Sequence, residues 1–166
     1  GTICSGNTKN LILAGSSETI QWQTSATGLI GSYKSIEGIS GASYTTPALT
    51  ENTYYQAVVQ TGDCLPVVTQ PILVGVNKPL GVWTIKEDSS SVCYGKQAVL
   101  RLINNEKNTA NSIVWYKSVN AGLSWTVVSG QISATLTSGN LTVATWFKSK
   151  LASGTCSVET PMVKVA

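Results

Sequence analysis

The sequence predicts an all-β chain folded as two tandem β-sandwich domains, and three observations predict it. The first is an internal repeat. The stretch Leu49-Thr50-Glu51-Asn52-Thr53-Tyr54-Tyr55-Gln56-Ala57-Val58-Val59 returns as Leu141-Thr142-Val143-Ala144-Thr145-Trp146-Phe147-Lys148-Ser149-Lys150-Leu151, and recurrence at a fixed offset marks duplicated units. Residues 32–64 and 124–156 align without a gap. Gly38, Thr45, Leu49, Thr53, Gly62 and Cys64 meet their own kind, while Tyr33 meets Trp125, Ile36 meets Val128 and Tyr55 meets Phe147. These replacements keep size and apolarity, so shape is retained rather than chemistry. The second observation is a succession of short apolar runs with turn signals every ~8–12 residues and no helical period. The third is cysteine placement: one near the start and one near the end of each copy. A chain of 166 residues then divides into domains 1–77 and 78–166, each small enough to gain from a covalent staple.

The elements follow in order. Each copy opens with a cysteine and a Leu-x-Leu run: Cys4-Ser5-Gly6 then Leu11-Ile12-Leu13, and Cys93-Tyr94-Gly95 then Leu100-Arg101-Leu102. That spacing puts two side chains on one face of a half-buried strand and turns Arg101 to water. Ile20-Gln21-Trp22-Gln23 recurs as Ile113-Val114-Trp115-Tyr116. Large aromatics at alternating strand positions pack inward, so Trp22 and Trp115 are expected in the cores rather than as stacking platforms. Glycine-bearing turns lead to Tyr33 or Trp125 and to a short strand ending at Gly38 or Gly130. Tyr44-Thr45-Thr46-Pro47 and Leu136-Thr137-Ser138-Gly139 make another short strand and bend.

In the repeated strand, Tyr55, Ala57 and Val59 face one way and Tyr54, Gln56 and Val58 the other. Its second copy sets Phe147, Ser149 and Leu151 against Trp146, Lys148 and Lys150. Charged side chains favour water, so the lysines mark the wet face, with Tyr54 and Trp146 on it. Final strands start after Pro71 and Pro161. Asn77-Lys78-Pro79-Leu80-Gly81 is the linker, short and proline-bearing, so limited freedom between the domains is expected. Val82-Trp83-Thr84-Ile85-Lys86 then opens the second copy with a strand the first copy lacks, which implies that the first strand is truncated at Gly1.

The cysteines read as two disulfides, since no Cys-x-x-Cys pair marks a zinc site. Three pairings are possible. The repeat favours Cys4–Cys64 and Cys93–Cys156, each copy closing on itself, and such loops would stabilise by about 4 kcal/mol on the chain-entropy model. Disulfides imply an oxidising compartment.

Composition narrows the function. Charged residues are 11% of the chain at net charge +3, without the basic cluster of a nucleic-acid binder. No run of about 18 apolar residues marks a membrane span. There is no histidine, which removes the usual general base, metal ligand and Ser-His-Asp arrangement. Asp63, Asp88 and scattered glutamates form no calcium-loop cluster. No enzyme, metal or cofactor is expected. The tryptophans and tyrosines outside the expected core (Trp125, Trp146, Tyr33 and Tyr54, with Trp83) are the candidate ligand-binding residues, able to stack on sugars or simply to pack at edges.

Leu49, Thr53, Tyr55, Ala57 and Val59 look like the tyrosine corner of immunoglobulin-like and fibronectin-like sandwiches. Phe147 lacks the hydroxyl for it. Cys4-Ser5-Gly6, Tyr44 through Thr50 and Thr53-Tyr54-Tyr55 in the first copy, with Ser118 through Thr126 and Gly154-Thr155-Cys156 in the second, resemble the Ig-like repeats of large Bacteroidota surface proteins exported by type IX secretion, among them giant gliding-motility adhesins of the SprB type. The resemblance covers nearly the whole chain, twice. It implies an extracellular stalk on a cell surface, with neighbouring Ig-like repeats of the parent chain as partners and surface polysaccharide or the substratum as the target of adhesion. A polysaccharide-binding module using the exposed aromatics is the alternative.

Overall fold

The computed structural model describes residues 1–15, 19–104, 106 and 108–166. Contacts divide them into two units, Gly1–Lys78 and Pro79–Ala166, one residue beyond the expected boundary at Asn77. All sixteen regular elements among the described residues are strands, and each unit is a sandwich of two sheets. Tandem immunoglobulin-like or fibronectin-like sandwiches are what the sequence predicts, and they are what forms.

In unit 1 the strands are β1 (Thr2–Cys4), β2 (Asn10–Ile12), β3 (Thr19–Ser25), β4 (Lys34–Ser35), β5 (Ser43–Thr45), β6 (Thr53–Gln60), β7 (Val67–Val68) and β8 (Ile72–Asn77). The front sheet runs β1-β8-β6-β3-β4 with β7 also on β6, and the back sheet pairs β2 with β5. β3 and β6 are antiparallel in a register that sets Trp22 opposite Ala57 and Ile20 opposite Val59. Strand alternation therefore sends Ile20, Trp22, Tyr55 and Ala57 inward, where they are buried with Leu11 and Val74. Tyr44 reaches in from the back sheet, its ring 5.9 Å from those of Trp22 and Tyr55.

Unit 2 repeats the plan with β9 (Thr84–Glu87), β10 (Val99–Ile103), β11 (Ser112–Ser118), β12 (Thr126–Val127), β13 (Thr135–Thr137), β14 (Thr145–Ser153), β15 (Cys156–Glu159) and β16 (Val163–Val165). The front sheet is β12-β11-β14-β15 with β16 also on β14, and the back sheet is β13-β10-β9. Trp115 opposite Ser149 and Ile113 opposite Leu151 reproduce the register of β3 and β6. Trp115, Leu100, Leu136 and Leu151 are fully enclosed.

The duplication extends to individual hydrogen bonds. The indole N–H of Trp22 donates to the Gly41 carbonyl and that of Trp115 to Ser133, both at 2.9 Å. Lys9 N donates to Thr46 Oγ1 as Ala98 N does to Ser138 Oγ. Ala57 N donates to Thr69 Oγ1 as Ser149 N does to Thr160 Oγ1. This last pair marks a break between two strands. The expected final strands form as β8 and β16, after Pro71 and Pro161, and each is preceded by a further strand, β7 or β15, that the sequence does not announce. Between them Thr69 or Thr160 gives its backbone N–H to the neighbouring strand and accepts the return bond on its hydroxyl. The proline that follows has no N–H with which to continue the ladder.

Three expectations are corrected. The opening run of the first copy is not one strand: β1 lies parallel to β8 in the front sheet, β2 lies in the back sheet, and the chain changes sheets at Gly6, whose φ is +85°. Tyr55 is buried as expected, but a tyrosine-corner bond to the upstream backbone is not among those of the described residues. Burial first, then the neighbouring Tyr44, raises the Tyr55 hydroxyl pKa, against a hydrogen bond with the Thr24 side chain. The pairs Cys4–Cys64 and Cys93–Cys156 do not form: Cys64 and Cys93 are free and exposed, whereas Cys4 and Cys156 are disulfide-bonded. The reason is geometric. Cys4 sits opposite Asn77, beyond the Thr53 end of β6, and Cys64 follows the Gln60 end. The 8 residues of β6 span about 26 Å, against a Cα separation of at most about 7 Å across a disulfide. β14 separates Cys93 from Cys156 in the same way.

Two outcomes follow for stability. Trp115→Ala removes a fully enclosed indole and its bond to Ser133, and should cost about 3–5 kcal/mol in urea unfolding. Burial also raises the Tyr44 hydroxyl pKa. Above the ordinary tyrosine pKa of 10.0 the folded state keeps protons that the unfolded state has lost, so stability present below that pH declines as pH rises through the raised values. A Tyr44→Phe, Tyr55→Phe double variant should show a shallower loss of melting temperature between about pH 9 and pH 11 than the unsubstituted chain. Equal slopes would mean that these phenols are not the titrating groups.

Candidate functional site

The outer face of each front sheet carries the candidate residues. Residues opposite one another on adjacent strands share a face, and Gln23 with Gln56 and Ser25 with Tyr54 are such pairs in unit 1. Tyr116 with Lys148 and Ser118 with Trp146 are their counterparts in unit 2. Since Trp22 and Trp115 turn inward, their neighbours must turn outward.

In unit 1 the loop after β3 is folded by Ser25, whose hydroxyl accepts from the backbone N–H of Thr27 and Gly28. The loop brings Gly28 against the half-buried Tyr54 ring, where an added Cβ would stand 2.8 Å from ring carbons, and φ there is +73°. Tyr33, also half-buried, donates to the Gly28 carbonyl at 3.4 Å. Gln56 donates to Gln23 at 2.7 Å. Gln23, Gly28, Tyr33, Gln56 and Pro71 line a half-open concavity of about 520 Å3. It offers amides and a phenol, all neutral.

In unit 2 Ser118 plays the part of Ser25, accepting from Asn120 and Gly122 N–H. Lys148 Nζ stands 4.9 Å from the centre of the Trp125 ring and 5.7 Å from that of Tyr116, and pairs with Glu159 at 2.9 Å. Lys164 Nζ lies 5.5 Å from the centre of Trp146, its cross-strand partner. An ammonium over an indole face is attracted by the ring quadrupole. The hydrogen bond from Lys148 lowers the Glu159 carboxyl pKa, against desolvation and helped by the Lys148 and Lys150 charges.

The structure thus places Tyr33 and Tyr54 on one outer face and Trp125 and Trp146 on the other, all half-buried. Trp83 is different. It is a core residue of unit 2, with its indole N–H donated to the Leu80 carbonyl at 2.9 Å. Lys148 is not the simply solvated lysine that strand alternation implies, since only 22% of its side chain is exposed. Tyr116 was missed as a site residue, although the inward Trp115 beside it fixes its direction. Among the described residues no group of three or more Cys, Asp or Glu side chains could hold a metal ion, and no helix is long and apolar enough to cross a membrane.

Fold and faces together define a pair of immunoglobulin-like and fibronectin-like sandwiches, with an outward aromatic cluster on each. The profile of a family described as a domain of unknown function (DUF8696) matches residues 1–78 and 83–166, and the chain belongs to that family. No curated protein matches the sequence. Among solved structures, the chain is similar to one in the crystal structure of a mouse coronavirus receptor-binding domain complexed with its murine receptor (11% identity, 99% of this chain and 94% of that one, TM-score 0.62). It is also similar to a marsupial T cell receptor (13%, 99% and 70%, TM-score 0.61) and to fibronectin(III)-like modules of Clostridium thermocellum CbhA (11%, 99% and 87%, TM-score 0.52). At such identities the likeness is one of fold.

Gly28→Ala tests the packing of the unit 1 cluster. A methyl at positive φ against the Tyr54 ring should cost about 1–3 kcal/mol, read by urea unfolding. A neutral result would mean that Tyr54 moves aside freely.

Proposed function

We propose that this chain is a non-catalytic repeat segment of a large cell-surface adhesin: two links of a stalk that holds adhesive regions away from the cell during attachment or gliding. One observation carries this reading. The two copies keep the same internal hydrogen bonds and core positions, while the outer face changes from Gln23 and Gln56 to Tyr116 and Lys148. A duplicated binding site would keep its chemistry, whereas a duplicated spacer need keep only its shape. The disulfide-bonded cysteines fit an extracellular module. The resemblance to type IX-exported repeats supplies the setting, an outer surface of a gliding bacterium.

A second reading has its own support. Trp125, Trp146 and Tyr116 share the outer face of unit 2 with Lys148 and Lys164, which suits weak adhesion to an anionic polysaccharide. Retention of the chain on immobilised polysaccharides and on glass decides between the two, beside a Trp125→Ala, Trp146→Ala variant checked for native melting. The spacer reading expects no binding above that of an unrelated sandwich domain. Saturable binding lost in the variant would make the chain an adhesive module.

A further inference from the structure

Each copy carries two cysteines, and the fold sets them at opposite ends of its sandwich. In unit 1 Cys4 lies beside Asn77, where the chain leaves the unit. In unit 2 its counterpart Cys93 lies where the chain again leaves, since Val92 N donates to the Ala166 carbonyl. In unit 2 the other cysteine stands at the entrance. Cys156 is opposite Ser153 at the far end of β14, the end at which Asn111 N meets the Ala152 carbonyl. Asn104, at the start of the same loop, donates to Leu80, where the chain enters unit 2. Cys64, the counterpart of Cys156, follows β6 at the end of unit 1 remote from Asn77. Every copy therefore presents one cysteine where the chain goes out and one at the opposite end, and no copy can join its own two.

One member of each kind is disulfide-bonded, the exit cysteine Cys4 and the entrance cysteine Cys156. The exit cysteine Cys93 and Cys64, the counterpart of the entrance cysteine, are free and exposed. Near each free thiol the described residues line an open, largely apolar hollow. Cys64 lines about 560 Å3 with Leu13, Val59, Leu65 and Val67, and Leu65 is 89% exposed. Cys93 lies between Val92 and Tyr94, which line about 220 Å3 with Leu141, Val143 and Ala166, and Tyr94 is 81% exposed.

From these positions we propose that Cys64 and Cys93 are the sites at which this chain is disulfide-linked to further copies of the same repeat. Cys93 bonds the entrance cysteine of one neighbouring copy, and Cys64 bonds the exit cysteine of another. In a tandem array the exit of one copy leads to the entrance of the next, so the peptide connection delivers an exit cysteine to an entrance cysteine. The apolar hollows seat the neighbour around the bond. The inference deepens the spacer reading and rests on it: a stalk so built is linked from this chain to further copies by disulfides as well as by the peptide chain.

The bond forms by exchange with a small disulfide such as glutathione disulfide. The Cys93 thiolate attacks one of its sulfurs and releases one glutathione thiol, leaving a mixed disulfide. The Cys64 thiolate of another copy then attacks the Cys93 sulfur and releases the second. Two protein thiols are oxidised and one glutathione disulfide is reduced to two thiols.

The test uses the full chain in two variants, Cys64→Ser and Cys93→Ser, in a glutathione redox buffer that leaves the existing disulfide intact. Each chain then keeps one of the two thiols, so closure of Cys64 on Cys93 within a single chain is impossible. Non-reducing electrophoresis should show each variant alone at the mass of a single chain. An equimolar mixture should show a band at twice that mass, which reduction abolishes and peptide mapping assigns to a residue 64–residue 93 bond. The proposal is overturned if the mixture gives no dimer beyond that of either variant alone. It is equally overturned if like-with-like dimers form as readily, or if Cys4 or Cys156 exchanges onto the remaining thiol. Any of these would leave the spacer reading to be judged by polysaccharide retention.

Discussion

Each sandwich hangs on one tryptophan. Trp22 and Trp115 start on the front sheet, fill the space between the sheets, and end with an indole N–H bonded to the carbonyl of Gly41 or Ser133, just before the back-sheet strand β5 or β13. The ring supplies the burial and the N–H supplies the distance, since a buried indole donor left unpaired would cost about 1–3 kcal/mol. The same residues accept on their own backbone carbonyls from Ile36 and Val128, so the short edge strand β4 or β12 is set by the same anchor. Everything else in the core is arranged around this tie. Leu11 or Leu100 approaches from the back sheet, and Tyr55 or Phe147 sits two residues before the strand position opposite the tryptophan. A fold fixed by one inward residue per sheet constrains its neighbours in sequence to point out, and the outer aromatic faces are a consequence.

That logic explains what was legible. Strand identity, the inward tryptophans and the outward Tyr54 and Trp146 all follow from period 2 with one fixed reference residue. The repeat then doubled every inference. What alternation could not provide was the partner of an outward side chain. Lys148 lies on the wet face by parity, yet it is packed between Trp125 and Tyr116, because β12 and β11 bring those rings across from distant sequence positions. Trp83 failed for the opposite reason. It precedes the first regular strand of its unit and has no counterpart in the first copy, so neither parity nor the repeat could assign it, and its burial and the bond to Leu80 show it as core.

The cysteines mark the limit of arguing from duplication. Repetition says that corresponding cysteines have corresponding surroundings. It does not say that two cysteines of one copy are near each other. Cys4 and Cys64 bracket a copy in sequence, which invites a closing bond, but β6 lies between them as a strut of 8 residues. Loop-closure entropy rewards a long loop only where the backbone permits the ends to meet, and in an antiparallel sandwich an even or odd number of crossings decides which end the chain has reached. That count requires the true number of strands. The extra strands β7 and β15 leave it unchanged, since they run in the same direction as β8 and β16, whereas the change of sheet at Gly6 puts Cys4 beside the last strand of its unit. A parallel pairing at that point is invisible to hydrophobic pattern, since only three residues carry it.

The comparison of the two outer faces bears most directly on what the chain is for. Duplication begins with identical surfaces, and what later differs has been free to differ. The hydroxyl brackets of Thr69 and Thr160, the serine-folded loops at Ser25 and Ser118, and the indole ties are the same in both copies, and each satisfies a backbone or buried donor whose loss would weaken the sandwich. The faces diverge in charge as well as size: one carries a Gln56-to-Gln23 side-chain hydrogen bond, the other two lysines over indoles and a Glu159 ion pair. Lysine held against a ring also uses the surface on which a sugar would stack. A ligand site kept for one purpose in both copies would show the reverse pattern, with constant contacts on a variable frame. In this chain the frame is the constant, and a constant frame with variable faces is what the proposed role of a structural link requires.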